Sequence, residues 1–188
     1  KSTIAVAQDS YIYFYDTNTL KVTGKLNFGA SEIAFSPGGS SIAVVNSSNI
    51  IIWGIEQRNI QQEFNSKITR IRQIIFSPGG TYLAAIGISY LGGGDPDYIL
   101  EVWEVDSGKS LWSKQGYGWN STISFSPDGR HLALNGEFSV ILFSVATGEI
   151  INSNADIEIS SLCYLSNGNL FGRMSASRLV ELDAKTFD

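Results

Sequence analysis

The sequence has few of the residues from which metal sites and catalytic centres are most often built. Its 188 residues include one histidine, one cysteine and one methionine. A single cysteine excludes a disulfide within the chain, and we expect Cys163 to be a buried, unreactive thiol in an apolar strand. The lone histidine, His131, leaves no ligand set at the spacing zinc requires. It is the sole candidate for a serine–histidine–aspartate arrangement, which its position within a strand does not favour. We therefore predict no enzyme activity, no metal and no cofactor.

Charged residues are also sparse, at 16% of the chain, and the formal net charge is −5. An acidic chain lacks the positive field that attracts nucleic acid or anionic lipid, so we predict neither nucleic-acid binding nor membrane insertion. No apolar stretch approaches the roughly 18 residues needed to span a bilayer, and no secretory signal pattern opens the chain. Apolar residues make up 43% of the sequence, which predicts a globular protein with a sizeable core. The single cysteine fits a reducing compartment, so we expect a cytoplasmic protein.

The sequence does contain a five-residue motif that occurs four times. It is Phe-Ser-Pro-Gly-Gly at 35–39 and 76–80, Phe-Ser-Pro-Asp-Gly at 125–129, and Tyr-Leu-Ser-Asn-Gly at 164–168. Proline presets φ for a turn, and glycine tolerates the positive φ that follows. A repeat of about 40 residues, with short strands between turns, is typical of a β-propeller.

The third copy shows the unit most clearly. Residues 121–125 alternate between apolar and polar, and 131–134, 139–145 and 149–151 follow as further short strands between turns. Four short antiparallel strands make one propeller blade. No window carries the capped 3.6-residue apolar stripe of a helix, so we predict an all-β fold of four-stranded antiparallel blades.

The other copies follow the same pattern and predict 18 strands in about five complete or partial blades. The predicted third strands carry a large apolar residue at one position: Tyr15, Trp53, Trp103, Phe143 and Leu182. We expect these residues and the first residues of the turn motifs to form the core between blades. The predicted units are a partial blade at 1–28, complete blades at 29–66, 67–116 and 117–155, and a partial blade at 156–188. We expect a segment of a larger ring, with a closed five-bladed ring as the alternative.

These residues resemble the WD-repeat β-propeller family. The resemblance lies in the Phe-Ser-Pro-Asp-Gly turn, the Leu-Ala strand that follows it at 83–84 and 132–133, and the strand and turn at 102–109. It covers essentially the whole chain. The family's Gly-His and Trp-Asp pairs are absent, so its buried hydrogen-bond network cannot form here, and we expect the blades to rely more on apolar packing. Bacterial periplasmic propellers carry a similar turn and are the alternative relatives.

The resemblance implies that partners bind the face where second and third strands are joined, and where each blade leads into the next. An insertion at 87–98 falls on that face, with three consecutive glycines between Tyr90 and Tyr98. Loops on a rigid scaffold often carry binding residues, so we predict that Tyr90, Asp97 and Tyr98 contact a partner. The alternative is a surface extension without function. Asp95 and Asp97 fall short of the six to eight oxygens that calcium takes, so we predict no metal here.

Two segments that lead into the third and fourth blades supply the other candidate contacts. Tyr117 and Trp119 lie among glycines, and Arg70 and Arg72 lie in a short basic cluster on an acidic protein. Tryptophan, tyrosine and arginine dominate the energetics of protein interfaces. The alternatives are packing between blades for Trp119 and a solvated strand start for the two arginines.

We therefore predict a non-catalytic scaffold that binds a protein partner, as one module of a larger multidomain protein. Trp119 and Tyr117 are the predicted anchors, and Arg70 and Arg72 the predicted polar contacts. Incomplete end blades would leave sheet edges and one blade face exposed, which favours self-association. The alternative function is a ligand-sensing or enzymatic propeller of the periplasmic or quinoprotein-like type.

Overall fold

The computed structural model describes residues 3–90, 96–118, 121–136, 139–174 and 178–187. Over these ranges the chain forms 18 β-strands and no helix, and so contains no helix able to cross a bilayer. The first sheet consists of β1 (Thr3–Gln8), β2 (Tyr11–Asp16) and β3 (Val22–Leu26). The second consists of β4 (Glu32–Phe35), β5 (Ser41–Asn46), β6 (Asn49–Gly54) and β7 (Asn59–Asn65).

The remaining three sheets follow in chain order. The third consists of β8 (Arg70–Phe76), β9 (Tyr82–Ser89), β10 (Asp97–Glu104) and β11 (Ser110–Gln115). The fourth consists of β12 (Ile123–Phe125), β13 (His131–Asn135), β14 (Val140–Ser144) and β15 (Ile150–Asn154). The fifth consists of β16 (Ile159–Tyr164), β17 (Leu170–Met174) and β18 (Leu179–Leu182).

Within every sheet, strands that are neighbours in sequence pair antiparallel, as in the blades of a β-propeller. Strand β4 contacts β8, β8 contacts β12, and β12 contacts β16. Because these are the first strands of successive sheets, neighbouring blades meet at their first strands. The second, third and fourth strands of each blade lie progressively farther from that contact. The prediction of an all-β fold with five complete or partial blades is confirmed. The larger ring stays a prediction.

The repeated motif forms the same turn in all four copies. Its final glycine has a φ between 69° and 90° and donates its N–H to the carbonyl three residues earlier; these glycines are Gly39, Gly80, Gly129 and Gly168. Glycine adopts this left-handed conformation without the steric cost that a Cβ brings. In the first three copies the motif's serine Oγ also accepts an N–H from the residue five positions later. In the fourth copy Leu165 replaces this serine, so no hydroxyl is present to accept that bond.

The apolar core of the described residues consists of four clusters, each between two successive blades. Trp103 is 1% exposed and Phe143 is fully buried, so these two third-strand aromatics fill space between blades. The residues at the same position in the other blades are only half-buried, namely Tyr15, Trp53 and Leu182. Among the first residues of the turn motifs, Phe125 is buried, whereas Phe76 is only half-buried. A blade cannot bury both its faces alone, and the packing of neighbouring blades supplies what each lacks.

The predicted burial of Cys163 is wrong, because its thiol is exposed. Side chains alternate between the two faces of a strand, and Leu162 takes the buried face of β16 at this point. Cys163 therefore projects from the opposite face. An apolar residue pattern could not determine which of these two neighbours would point inward.

Candidate functional site

The predicted contact residues that the structure describes lie on one face of the blades. We call it the hairpin face: the end of the sheets that carries Asp9, Ser47, Tyr90 and Gly136, where second and third strands are joined. Two grooves cross this face. The predicted anchor Trp119 lies outside the described residues, as does Asp95.

The first groove, the tyrosine groove, lies between the third and fourth blades. Asp97, Tyr98 and Tyr117 line it together with Gly136 and Ser139, and its volume is about 560 Å³. The structure thus brings together three candidate residues from two different segments of the chain. Tyrosine combines a large apolar ring with a hydroxyl at its tip, which suits a groove that is partly wet.

Two long strands position Asp97 and Tyr98. Strands β9 and β10 have eight residues each and pair from Glu104 to Asp97, which lies opposite Ser89. The N–H of Gly116 donates to the carbonyl of Tyr98 over 3.1 Å, so the walls of the groove are joined by the main chain. Asp97 is exposed, and Tyr90 at the end of β9 is 57% exposed.

Tyr117 belongs partly to the core. Its ring packs edge-to-face on Phe143, with 5.9 Å between centroids and 77° between planes. Burial raises the pKa of the Tyr117 hydroxyl, because the phenolate would lose hydration there. Tyr117 therefore forms a fixed wall of the tyrosine groove, and a truncation at this position would damage the blade junction as well as the groove.

The second groove, the arginine groove, is lined by the second and third blades and by Asp9 of the first, and it has a volume of about 840 Å³. Arg70 and Arg72 line it, but so do the carboxylates of Asp9 and Glu32. Burial raises the pKa of Glu32. The formal charges of these four side chains cancel, so this groove presents a mixed polar surface. Arg70 and Tyr98 lie in the same blade but on opposite sides of β9, since each is opposite Ile88, and they line different grooves.

Sequence reasoning missed Glu101, the buried carboxylate that supports the arginine groove. Glu101 is 1% exposed. It accepts hydrogen bonds from the Ser66 hydroxyl (3.2 Å), the Lys67 main-chain N–H (3.1 Å) and the Ser110 hydroxyl (3.0 Å). These bonds hold the segment that leads into β8, where Arg70 begins the strand. The signal was a charged residue between Leu100 and Val102 in an otherwise apolar strand.

The arrangement of the described side chains supports recognition by stacking, hydrogen bonding and charge. Within the described ranges, no group of three or more histidine, cysteine or acidic residues could hold a metal ion. His131 lies in β13 and lines a different cleft, at the opposite end of the sheets, with Asp128 and Tyr164. The hydroxyl of Ser126 donates to Asp128 over 2.6 Å and is the main reason that the pKa of Asp128 is lowered.

Comparison with known proteins identifies the fold. No protein-family model matches the sequence, and no curated protein matches it. Hydrazine synthase from Kuenenia stuttgartiensis, a propeller-containing protein, is similar in structure, with a TM-score of 0.76 and 13% sequence identity. The match covers 99% of this chain and 69% of the hydrazine synthase chain. In total 1124 solved chains match, so the fold is shared too widely to select a function.

Proposed function

We propose that this chain is a non-catalytic propeller module that binds a protein partner through the hairpin face. The observation that carries the proposal is the convergence of Asp97, Tyr98 and Tyr117 in the tyrosine groove, beside the exposed Tyr90. Tyrosines in such grooves are frequent anchors of protein interfaces because they bury a large area and lose few rotamers. The turn motif and blade order favour a divergent member of the WD-repeat family.

A stable interface buries about 800 Å² on each partner. The tyrosine groove is too small to supply that area alone, so it would receive one or two anchoring side chains. The arginine groove lies on the same face and would serve as the polar rim. Its balanced charges favour a partner that offers both donors and acceptors over a strongly acidic partner.

The test is capture of partners from the native lysate with three forms of the chain. Tyr90→Ala/Asp97→Lys alters exposed residues of the β9–β10 hairpin, and Asp106→Lys makes the same charge change in the exposed turn at the opposite end of β10. We expect wild type and Asp106→Lys to capture the same protein in equal amounts. The double variant should capture at least tenfold less of it. Capture that is equal for all three forms would exclude this hairpin as the binding site.

A ligand-sensing or enzymatic propeller is the second candidate function. The structural neighbour is named as an enzyme, and the cleft at the opposite end of the sheets, with a volume of about 730 Å³, contains Asp128, His131 and Tyr164. His131→Ala distinguishes the two functions. If the hairpin face is the functional site, His131→Ala should leave partner capture unchanged. If the cleft at the opposite end is the functional site, the substitution should abolish the activity or the ligand response.

A further inference from the structure

Three blades send a side chain from the fourth strand onto the next blade. These side chains are Gln62 in β7, Trp112 in β11 and Asn152 in β15, and each lies opposite the residue that precedes a register shift in the third strand. Their hydrogen bonds run from Gln62 Nε2 to Asp106 O (3.2 Å), from Trp112 Nε1 to Val145 O (2.7 Å), and from Asn152 Nδ2 to Lys185 O (2.8 Å). Each bond fastens two blades together.

In the first blade the equivalent residue is Gly24. It lies opposite Phe14, and the register shift follows between Phe14 and Tyr15. The first blade therefore provides no side chain where the third provides an indole. A cleft of about 260 Å³ occupies this position between the first and second blades, lined by Phe14, Gly24, Trp53, Ile55 and Arg58, among others. We call it the junction cleft.

The residue that accepts the indole hydrogen bond has an equivalent in the second blade, held by the same main-chain bond. The N–H of Val145 donates to Arg130 O over 2.9 Å, and the N–H of Ile55 donates to Ser40 O over 3.0 Å in the same place of the second blade. The carbonyl of Ile55 thus corresponds to the Val145 carbonyl that accepts from Trp112. Ile55 belongs to the lining of the junction cleft, whereas the Val145 carbonyl accepts from the N–H at the edge of the Trp112 ring.

Arg58 of the second blade stands where the fourth blade has Gly148, in the turn after the third strand. A Cβ on Gly148 would lie 2.7 Å from the Trp112 ring, so the fourth blade needs glycine in this turn. Its counterpart in the second blade is Arg58, which likewise donates its N–H to the carbonyl four residues earlier, with a φ of 53°. The guanidinium is exposed and belongs to the lining of the junction cleft.

We infer that the junction cleft binds a small planar heteroaromatic acid with a ring N–H, of the indole carboxylate class. An apolar cavity of about 150 Å³ is enough to bind benzene, so a cleft of about 260 Å³ accommodates a two-ring system. Phe14 and Trp53 offer ring contacts, the Ile55 carbonyl accepts the ring N–H, and Arg58 attracts the carboxylate. The ligand takes the place that Trp112 occupies between the third and fourth blades.

Gly24 allows a direct test. A Cβ built there meets its nearest atom, Phe14 Cδ2, at 3.8 Å, and its φ lies outside the left-handed region. Gly24→Trp therefore provides a covalent occupant of the junction cleft, and Gly24→Ala leaves the cleft open as the matched control. Titration calorimetry and thermal melts would use indole-3-acetate and indole as probes, with acetate as the ligand without a ring.

We expect wild type to bind indole-3-acetate with a Kd on the order of 1 mM or tighter and to gain thermal stability on binding. Gly24→Ala should stay within about threefold of wild type, and Gly24→Trp should bind at least about tenfold more weakly. Arg58→Gln should weaken binding of indole-3-acetate but not of indole.

Binding by wild type that fails to saturate up to about 10 mM would overturn the inference, as would unchanged affinity in Gly24→Trp. If Gly24→Trp does not fold, amide chemical shifts of wild type show whether indole-3-acetate binds in the junction cleft. Shifts at Gly24 and Ile55 on addition of indole-3-acetate support the site, and shifts confined to the hairpin face exclude it. Equal effects of Arg58→Gln on both probes would exclude recognition of the carboxylate.

Discussion

The side-chain amide of Gln73 makes two hydrogen bonds to the main chain of Ile123 in the next blade: Gln73 Oε1 accepts from the Ile123 N–H over 2.9 Å, and Gln73 Nε2 donates to the Ile123 carbonyl over 3.1 Å. The two residues are 50 positions apart in sequence. Thr122 continues this arrangement, since its hydroxyl accepts from the N–H of Leu162 in the fifth blade over 3.2 Å. Side chains in the first strands, or directly before them, thus complete the main-chain hydrogen bonding of the following blade.

The first prediction concerns this amide. We expect Gln73→Ala to lower the free energy of unfolding by about 1–3 kcal/mol, because the main-chain N–H and carbonyl of the buried Ile123 both lose a partner. Urea denaturation measures the change. The control, Gln57→Ala, alters an exposed glutamine in the second blade and should change stability by less than about 0.5 kcal/mol. Equal midpoints for the two variants would contradict the role of Gln73.

The second prediction concerns the buried carboxylate. We expect Glu101→Ala to cost about 2–4 kcal/mol of unfolding free energy, because Ser66, Lys67 and Ser110 each lose an acceptor. Glu101→Gln should cost less, since the amide keeps one oxygen and the shape of the side chain. Chemical denaturation compares both with Glu56→Ala, which removes an exposed carboxylate. A cost for Glu101→Ala no larger than for Glu56→Ala would show that the three bonds are dispensable.

The third prediction concerns the close contact of β8 and β9. A Cβ on Gly87 would overlap the carbonyl oxygen of Arg70 and would lie 2.6 Å from Ile68 Cγ2. We expect Gly87→Ala to destabilise the fold by about 3 kcal/mol or more, because main-chain atoms would have to move. Gly38→Ala is the matched control, with no atom within 4 Å of its Cβ. Thermal melts that are alike for both variants would contradict this packing.

The fourth prediction concerns alkaline pH. Burial and the nearby charge of Asp128 raise the pKa of Tyr164 to about 12. Since the folded-state pKa lies above the ordinary value of 10, the contribution of Tyr164 to stability is fully present below pH 10 and is lost as the pH rises toward 12. Melts across this window should show a smaller loss for Tyr164→Phe than for wild type. Parallel curves would show that folding does not raise the pKa of Tyr164.

The fifth prediction concerns the open face of the first blade. Ile4 and Val6 are 44% and 41% exposed, and they lie opposite Tyr15 and Tyr13 in β2. Because contiguous exposed apolar surface favours association, we propose that the 188-residue chain associates with itself through this face. Sedimentation velocity in reducing buffer should show larger species as concentration increases. Ile4→Lys/Val6→Lys should stay monomeric, and association that persists in this variant would place the contact elsewhere.

The sequence by itself determined the strands, the turns and the grouping of strands into five blades. These features are local: alternation places side chains on the two faces of a strand, and a glycine at a fixed place in each motif allows the left-handed turn. Gly39 and Gly129 could therefore be assigned without knowledge of any distant residue. The third-strand aromatics Trp103 and Phe143 followed from the same repeat.

Only the tertiary structure decided which side chains share a site. Tyr98 and Tyr117 meet in one groove while Arg70 lies in another, and the buried Glu101 accepts hydrogen bonds from Ser66 and Lys67 in the segment that leads to Arg70. These relationships depend on how one blade packs on the next, between residues that lie tens of positions apart in the chain. A repeat in sequence specifies the blade, but the surface between blades is formed by the differences among repeats, such as Gly24 where another blade has tryptophan.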